Sequence, residues 1–254
     1  MKGDAVLVFA RRPELGAVKT RLAAQLGDEF TLKLYRAFLI DTLTAARQAG
    51  GTVLLAHTRG SFFPEQELAD VNFEQRGDSF GERFDNALTD AAANLSADAK
   101  IVLIGADTPH LSPHSLRNSL DALRDAKAVI GPSFNGGFYL LGFSISPVPV
   151  AVAFAQPADR EVPEVVRLLR RAGVTPKIQE FWFDVDQPED LTRLESFIAL
   201  SECMESEWIP RCTRAALADL MIKPIRAVRE PVLSGESFSL LQMGAGLGSD
   251  IVQT

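Results

Sequence analysis

The chain has few cysteines, few histidines and no long apolar run. Its 254 residues include three histidines and only two cysteines, Cys203 and Cys212. Two cysteines at this spacing form neither a disulfide framework nor a zinc-binding pattern, which is typical of a protein of the reducing cytoplasm. The apolar run at residues 5–10 is too short for a signal peptide or a membrane span, and no run of about 18 apolar residues follows it. We therefore expect a cytoplasmic protein without a membrane partner.

Positive charge is also in short supply. Lysine and arginine number 26 against 33 aspartates and glutamates, which leaves a net charge of −7. This balance argues against nucleic acid as the main partner, because proteins that bind it neutralise phosphates over a broad basic surface. The hydrophobic fraction of 46% is ordinary for a globular protein and excludes a disordered chain.

Short apolar runs alternate with helical patterns over the first 200 residues. The runs at 5–10, 53–56, 101–104 and 128–130 are unbroken and rich in Val, Leu and Ile, which is typical of strands buried on both faces of a parallel sheet. Residue spacing predicts helices at 29–49, 79–93, 113–124, 162–172 and 188–200, with Ser112 as the cap and Pro113 as the first residue of the third. This alternation predicts an α/β fold with a doubly wound, mostly parallel sheet.

The alternation stops near residue 200. We predict one domain at residues 1–200 and a C-terminal extension at 201–254, with a short helix at 211–222. Residues 234–254 hold several Gly and Ser and few bulky side chains, which is typical of a partly mobile segment. Three roles are open for the extension: an appendage packed on the domain, a homodimer contact or a lid.

A cation-rich loop follows the first predicted strand, where open parallel sheets bind their ligands. Residues 11–21 contain four cations and Gly16. Glycine lets backbone amides approach a phosphate, and Lys and Arg side chains bind its oxygens. The loop is not a Walker A motif, because Val18 stands where that motif has the glycine before its lysine. The alternative is an ordinary solvated basic loop.

Carboxylates follow two further apolar segments. Asp107 comes after the run at 101–104, and a strand-end carboxylate is a natural ligand of Mg²⁺ or Mn²⁺. Asp184 and Asp186 are two residues apart, so in an extended segment both point the same way and need a cation or donors to compensate them. The alternatives are a turn or helix-cap role for Asp107 and a cap of the helix that opens at Pro188 for Asp186. A basic loop with three strand-end acids is the usual set for a metal-bound nucleotide phosphate.

Other segments carry weaker signals. The glycines of residues 135–139 permit the close approach of a ligand, although a plain tight turn explains them equally well. Residues 75–83 link a predicted strand to a helix whose N-terminus is suited to an anion or a base edge. His110 and His114 are four residues apart, but Pro113 between them indicates a turn that enters a helix rather than a metal site.

Taken together, these segments resemble the CofC-like and MobA-like branch of the nucleotide-diphospho-sugar transferase (GT-A) superfamily, and in particular the glycosyltransferase A-like proteins of bacteria. Residues 9–22 (FARRPELGAVKTRL) match an opening Phe-Ala-Lys-x-Pro-x-x-Gly-x-x-Lys-Thr-Arg-Leu. Residues 75–83, 105–109, 135–142 and 184–191 follow as the Gln-x-Gly-Asp, Gly-x-Asp-x-Pro, Asp-Gly-Gly and Asp-x-Asp-x-Pro-Glu-Asp-Leu segments. The match covers about residues 4–200, in order and at compatible spacing.

The resemblance implies a Rossmann-like, three-layer fold that binds a nucleotide over the first strand, with Mg²⁺ or Mn²⁺ on Asp107, Asp184 and Asp186. It implies catalytic roles for Lys19, Arg21 and Asp107, with Lys19 and Arg21 steadying phosphates. The nucleotide-binding residues that it implies are Phe9, Ala10, Arg11, Gly16, Lys19, Thr20, Gln75, Gly77, Arg83, Gly105, Asn135, Gly136 and Gly137. Three positions depart from the family pattern: Arg11 replaces Lys, Asn135 replaces Asp and Phe138 replaces Tyr.

These features favour a metal-dependent transferase that takes a nucleoside triphosphate or a nucleotide-sugar and an unidentified acceptor. In the nucleotidyl version an acceptor phosphate attacks the α-phosphorus and pyrophosphate leaves; in the glycosyl version the nucleotide diphosphate is the leaving group. The four cations of the loop favour nucleotidyl transfer slightly, whereas the family's usual label favours glycosyl transfer. Asn135 keeps open an alternative, a catalytically weak module that binds a nucleotide or a sugar phosphate.

Overall fold

The computed structural model describes residues 3–144 and 161–222, with side chains to residue 219. The described strands are β1 (Ala5–Ala10), β2 (Thr52–His57), β3 (Val71–Glu74), β4 (Lys100–Gly105), β5 (Ala128–Pro132), β6 (Phe138–Ser144) and β7 (Lys177–Ile178). The helices are α1 (Thr20–Leu26), α2 (Asp28–Ala49), α3 (Phe80–Ala92), α4 (Pro113–Ala122), α5 (Glu161–Arg171), α6 (Pro188–Cys203) and α7 (Arg211–Ile222), with a short 3₁₀ helix at Pro64–Leu68.

The described strands form one sheet in the order β3-β2-β1-β4-β6-β5-β7. Only β6 runs against its neighbours β4 and β5, and every other pairing is parallel. The parallel strands therefore all end at one edge, and the turn from β5 into β6 lies at that same edge. This edge collects the loops that follow β1, β4, β5 and β7, which are the loops that carry the predicted site residues.

Helices cover both faces of the sheet. Val6 and Val8 of β1 pack with Leu39 of α2 on one face, and Leu7 packs with Phe84 of α3 on the other. Successive strand residues point to opposite faces, so an unbroken apolar run is what a strand buried on both sides requires. The predicted α/β fold with a mostly parallel central sheet in three layers is confirmed.

The predicted helix at 211–222 is present as α7, and it packs on the domain. Ala216 and Leu217 lie in one apolar cluster with Leu34 and Phe38 of α2. The start of α7 is fixed by Asp41 of α2, whose carboxylate accepts hydrogen bonds from the backbone N–H groups of residues 212 and 213 at 3.1 and 2.7 Å. At least this part of the predicted extension is therefore an appendage packed on the sheet domain, while the part predicted to be mobile, 234–254, lies outside the described residues.

None of the described helices combines the length and the apolarity that crossing a membrane requires.

Replacement of Asp41 tests this attachment. We expect Asp41→Ala to lower the free energy of unfolding by about 1–2 kcal/mol, because two N–H groups at the start of α7 lose their acceptor. Asp85→Ala, at an exposed position of α3, is the control and should change it by less than about 0.5 kcal/mol. Urea unfolding of both variants measures the difference, and equal values would show that the contact does not hold α7.

Candidate active site

Three carboxylates meet where β1 and β4 end. The backbone N–H of Val185 donates to the carbonyl of Asp107 at 2.9 Å, which joins the segment after β7 to the loop after β4. Carboxylate oxygens of Asp107, Asp184 and Asp186 lie within 4.8 Å of one another. The convergence that strand-end placement predicts is therefore present in the geometry.

Lys19 lies against this acid cluster. Its Nζ is 2.5 Å from Asp186 Oδ1 and 3.4 Å from Asp107 Oδ2, and its side chain is 10% exposed. Burial alone would lower the pKa of Lys19, but Asp107 and Asp186 outweigh burial and raise it. The backbone of Lys19 is left-handed, with φ 44° and ψ 48°, a strained conformation for a non-glycine residue. The strained backbone at Lys19 directs its ammonium to the acids. The loop after β1 is therefore anchored through Lys19 and is not an ordinary solvated basic loop.

Arg21 is placed more loosely than Lys19. Its Nη1 lies 3.9 Å from Asp186 Oδ2, and its side chain is 67% exposed. An exposed pair at this distance contributes little to stability. The guanidinium of Arg21 is therefore available to a ligand that enters from solvent.

Asp184 is held by the turn between β5 and β6. Ser133 Oγ donates to its Oδ1 at 2.5 Å, and Asn135 Nδ2 donates to both of its oxygens at 3.0 Å. Burial raises the pKa of Asp184, the Ser133 hydrogen bond opposes this rise, and Asp107 and Asp186 add to it. The family pattern has an aspartate at position 135, and its carboxylate would repel that of Asp184. The amide of Asn135 instead donates a hydrogen bond to Asp184.

The residue that caps α6 decides between two interpretations of Asp186. The N-cap of α6 is Gln187, and the carboxylate of Asp190 accepts from the N–H groups of Asp186 and Gln187 at 3.0 and 2.8 Å. Asp186 is therefore not the helix cap, and its carboxylate faces Lys19.

The donor set fits a divalent cation. Three carboxylates against one ammonium leave an excess of negative charge, which carboxylates so close together tolerate poorly. Gly105 keeps room for one of them, because a Cβ at this position would lie 2.4 Å from Asp107 Oδ1. Oxygen ligands with surplus negative charge are what Mg²⁺ and Mn²⁺ take in proteins.

The acid cluster opens into a cavity of about 970 Å³ at the same edge of the sheet. Most of the residues predicted for the site line it: Phe9, Ala10, Arg11, Lys19, Thr20, Arg21, Gln75, Arg83, Gly105, Asp107, Asn135, Gly137, Asp184 and Asp186. Gly16, Gly77 and Gly136 are not among its lining residues, and each has a positive φ within a turn. These three glycines shape the loops, and their part in nucleotide binding stays a prediction.

Tyr35 is a site residue that the sequence analysis missed. Its hydroxyl accepts from the N–H of Arg11 and donates to the carbonyl of Arg11, both at 2.9 Å, and burial raises its pKa. These two hydrogen bonds attach the start of the loop after β1 to helix α2. Tyr35 lies on the apolar face of α2 like a core residue, so the sequence signals nothing beyond the hydroxyl that a buried tyrosine must satisfy.

Gln75 is fixed in one orientation. Its Nε2 donates to the carbonyls of Ala10 and Ala56, both at 2.9 Å, at the ends of β1 and β2. Exchanging the amide oxygen and nitrogen would set the oxygen against these two carbonyls, so Oε1 must point away from them. Within residues 3–144 and 161–219, Oε1 has no hydrogen-bond partner, and Gln75 lines the cavity. The site thus presents one oriented acceptor.

The histidines take no part in the acid cluster. His110 is 1% exposed and packs against Phe183 with ring centroids 4.1 Å apart. Burial lowers its pKa to about 3, so it is a neutral core residue at physiological pH. His114 lies one turn of α4 from Asn118 and contacts its amide.

Solved structures with a similar fold show what this chain resembles. A crystal structure of a protein from Desulfovibrio desulfuricans G20, provisionally assigned as a nucleotide-diphospho-sugar transferase, is 27% identical, with 87% of this chain and 96% of that chain covered and a TM-score of 0.73. The chain is therefore similar to this protein over most of its length. The likeness supports a transferase and leaves the reaction open.

Two synthases share the fold of this chain at lower identity. A 4-diphosphocytidyl-2C-methyl-D-erythritol synthase is 13% identical over 78% of this chain and 98% of its own, with a TM-score of 0.52. Its counterpart from Anaerococcus prevotii DSM 20548 is 10% identical over 78% and 99%, with a TM-score of 0.50. A family model described as "Uncharacterized protein conserved in bacteria" (DUF2064) matches residues 39–156. No curated protein matches the sequence.

Removing the cation of Lys19 tests the balance of charge in this transferase. We expect Lys19→Met to lower the free energy of unfolding by about 1–3 kcal/mol at pH 7, because three acids lose their counter-charge. The loss should shrink as the pH falls through the raised pKa of Asp184, because that carboxylate then takes up a proton and no longer needs the counter-charge. Lys33→Met, which breaks an exposed pair with Asp219, is the control and should have a small effect at either pH. A loss independent of pH would contradict the electrostatic explanation.

Asn135→Asp, which restores the residue of the family pattern, tests the amide. The added carboxylate would stand next to Asp184, so both folded-state pKa values should rise above their unfolded values. Stability present at low pH is then lost as the pH rises through those values, so the variant should be less stable than wild type at pH 7 and approach it near pH 4. Melting temperatures across this range measure the effect, with Asn72→Asp on the exposed side of β3 as the control.

Proposed function

We propose that the chain is a metal-dependent transferase that binds a nucleoside triphosphate or a nucleotide-sugar and transfers its nucleotidyl or glycosyl group. The observation that carries this proposal is the acid cluster with Lys19 inside the cavity at the edge where β1 and β4 end. Cations that face a cluster of acids are suited to a polyphosphate whose oxygens bridge side chains and a divalent cation.

The cavity suggests how the nucleotide lies. Phosphates would contact Lys19 and Arg21, and the nucleoside would extend along the ends of β1 and β2 toward Gln75. The fixed Oε1 of Gln75 would accept a hydrogen bond from an N–H of the base. Phe9 and Phe80, whose rings meet edge to face with centroids 5.6 Å apart, would supply apolar contact nearby.

Asp107, Asp184 and Asp186 would hold Mg²⁺ or Mn²⁺. When bound there, such a cation neutralises phosphate oxygens and stabilises the charge on the leaving group. Lys19 would stabilise the same charge with its ammonium, which the neighbouring acids keep protonated. Ser133 and Asn135 would keep Asp184 ionised and oriented.

The alternative is a module that binds a nucleotide or a sugar phosphate with little catalysis. Asn135 favours it in one respect, because its amide replaces a carboxyl that could act as an acid or a base. A module would be stabilised by its ligand equally with and without metal, whereas a metal-dependent transferase would not.

Asp107→Asn separates the two functions. We expect the variant to lose metal-dependent stabilisation by nucleotides and nucleotide-sugars, while the apo protein melts at the same temperature or higher because repulsion among the acids falls. Thermal shift with a panel of both ligand classes, with and without Mg²⁺ or Mn²⁺, measures this. Asp121→Asn, on the exposed surface of α4, is the control. An unchanged ligand response in Asp107→Asn would contradict a role for Asp107 as a metal ligand.

Identification of the released product shows which group is transferred. Metal-dependent release of pyrophosphate from one triphosphate would establish nucleotidyl transfer. Metal-supported stabilisation by a nucleotide-sugar alone, followed by release of a nucleoside diphosphate, would establish glycosyl transfer.

A further inference from the structure

Charge is sorted across the cavity. The described cations that line it come from the elements before β4, and the described acids come from β4 onward. The cations are Arg11, Lys19, Arg21, Arg59 and Arg83, and the acids are Asp107, Glu161, Asp184 and Asp186. The strand order β3-β2-β1-β4-β6-β5 turns this division of the sequence into two sides of one cavity. Lys19 and Arg21 meet Asp186 where the two sides join, so a phosphate is favoured on the β1 side and disfavoured next to Glu161.

Glu161 is the acid on the β6 side that the metal site does not use. It is the first residue of α5, and the N–H of Val162 donates to the carbonyl of Gly136 at 3.4 Å, which holds the start of α5 against the β5–β6 turn. Glu161 is half-buried and lines the cavity. The position of Glu161 in the cavity wall is therefore fixed by the contact between α5 and the β5–β6 turn.

The space between Glu161 and Asn135 is kept by a glycine. A Cβ at Gly137 would lie 3.2 Å from Asn135 Oδ1 and 3.3 Å from Glu161 Oε2, tighter than ordinary contact. Asn135 in turn donates to Asp184. Glu161 and Asn135, which contacts the acid cluster, thus lie on either side of a space that any larger residue at 137 would narrow.

The surroundings of Glu161 suit a base rather than an ion-pair partner. Burial raises its pKa, and no charge within the described residues contributes to the shift. A carboxylate with a raised pKa takes up a proton more readily near neutral pH. A phosphate acceptor is already ionised at pH 7 and would meet only like charge here, whereas a hydroxyl needs a group to accept its proton.

We infer that the acceptor is a neutral alcohol and that Glu161 is the catalytic base that accepts the proton of its hydroxyl. This inference rests on the proposed function and narrows it to glycosyl transfer. The alcohol oxygen forms its bond to the anomeric carbon of the nucleotide-sugar while Glu161 takes the proton. The bond between that carbon and the diphosphate oxygen breaks, and the nucleoside diphosphate leaves with the electron pair. Glu161 then returns the proton to solvent.

Glu161→Gln tests the base, with Glu164→Gln as the matched control. Glu164 lies on the same helix, outside the cavity, and pairs with Arg167 at 2.6 Å. Wild type and both variants are first compared by thermal shift with nucleotide-sugars and Mn²⁺, and all three should show the same shift. Release of nucleoside diphosphate is then followed with neutral polyols and methyl glycosides as acceptors and, separately, with sugar phosphates.

We expect neutral alcohols to accelerate release and sugar phosphates to leave it unchanged. Glu161→Gln should lower kcat by about 100-fold or more without changing the KM for the donor, and Glu161→Asp should restore part of the rate. Glu164→Gln should match wild type. A Glu161→Gln rate within threefold of wild type, acceleration by sugar phosphates, or no acceleration by any alcohol would overturn the inference while the donor shift still supports the proposed function. Absence of a metal-dependent donor shift in wild type would overturn both.

Discussion

Repulsion among three carboxylates is the constraint around which this edge of the sheet is built. Asp107, Asp184 and Asp186 would separate if their backbone were free, because like charges in a partly buried place are costly. The hydrogen bond from Val185 to the carbonyl of Asp107 prevents this by fixing the two segments to each other. Lys19 then compensates part of the charge, at the cost of a left-handed backbone that a non-glycine residue rarely adopts. Strain and repulsion in one place are consistent with the cation-binding role that we propose for this edge.

The antiparallel strand β6 has a specific consequence for this site. A purely parallel sheet would return the chain to the opposite edge after β5 through a crossover. Here a tight turn sends the chain straight into β6, so Ser133 and Asn135 stay at the ligand-binding edge and reach Asp184. The glycines of 135–139 therefore lie in the tight turn that one interpretation predicted, and the close approach of a ligand there stays a prediction.

Features set by local pattern could be predicted from the sequence, and features set by tertiary contact could not. The strands β1, β2, β4 and β5 could be predicted because burial on both faces requires unbroken apolar residues. The three acids could be predicted because they directly follow apolar segments. Tyr35 and Glu161 give no such signal, since one lies on the apolar face of a helix and the other opens a helix far from any motif. Gly77 shows the reverse case: its motif is clear, yet it lies against Glu82 in the turn before α3 and away from the cavity wall.

The loop after β1 also explains why this site is rich in cationic side chains. A P-loop binds phosphate largely with backbone N–H groups, and Gly16 suggested the same for residues 11–19. In the structure the N–H of Arg11 donates to Tyr35, that of Arg12 to Thr58 Oγ1 and that of Ala17 to the carbonyl of Glu14. These three backbone donors are used inside the protein and are poorly placed to bind a ligand. The hydrogen bonds that hold the loop and aim Lys19 at the acids thus use part of its backbone, and the contact with phosphate that we propose is made by the side chains of Lys19 and Arg21.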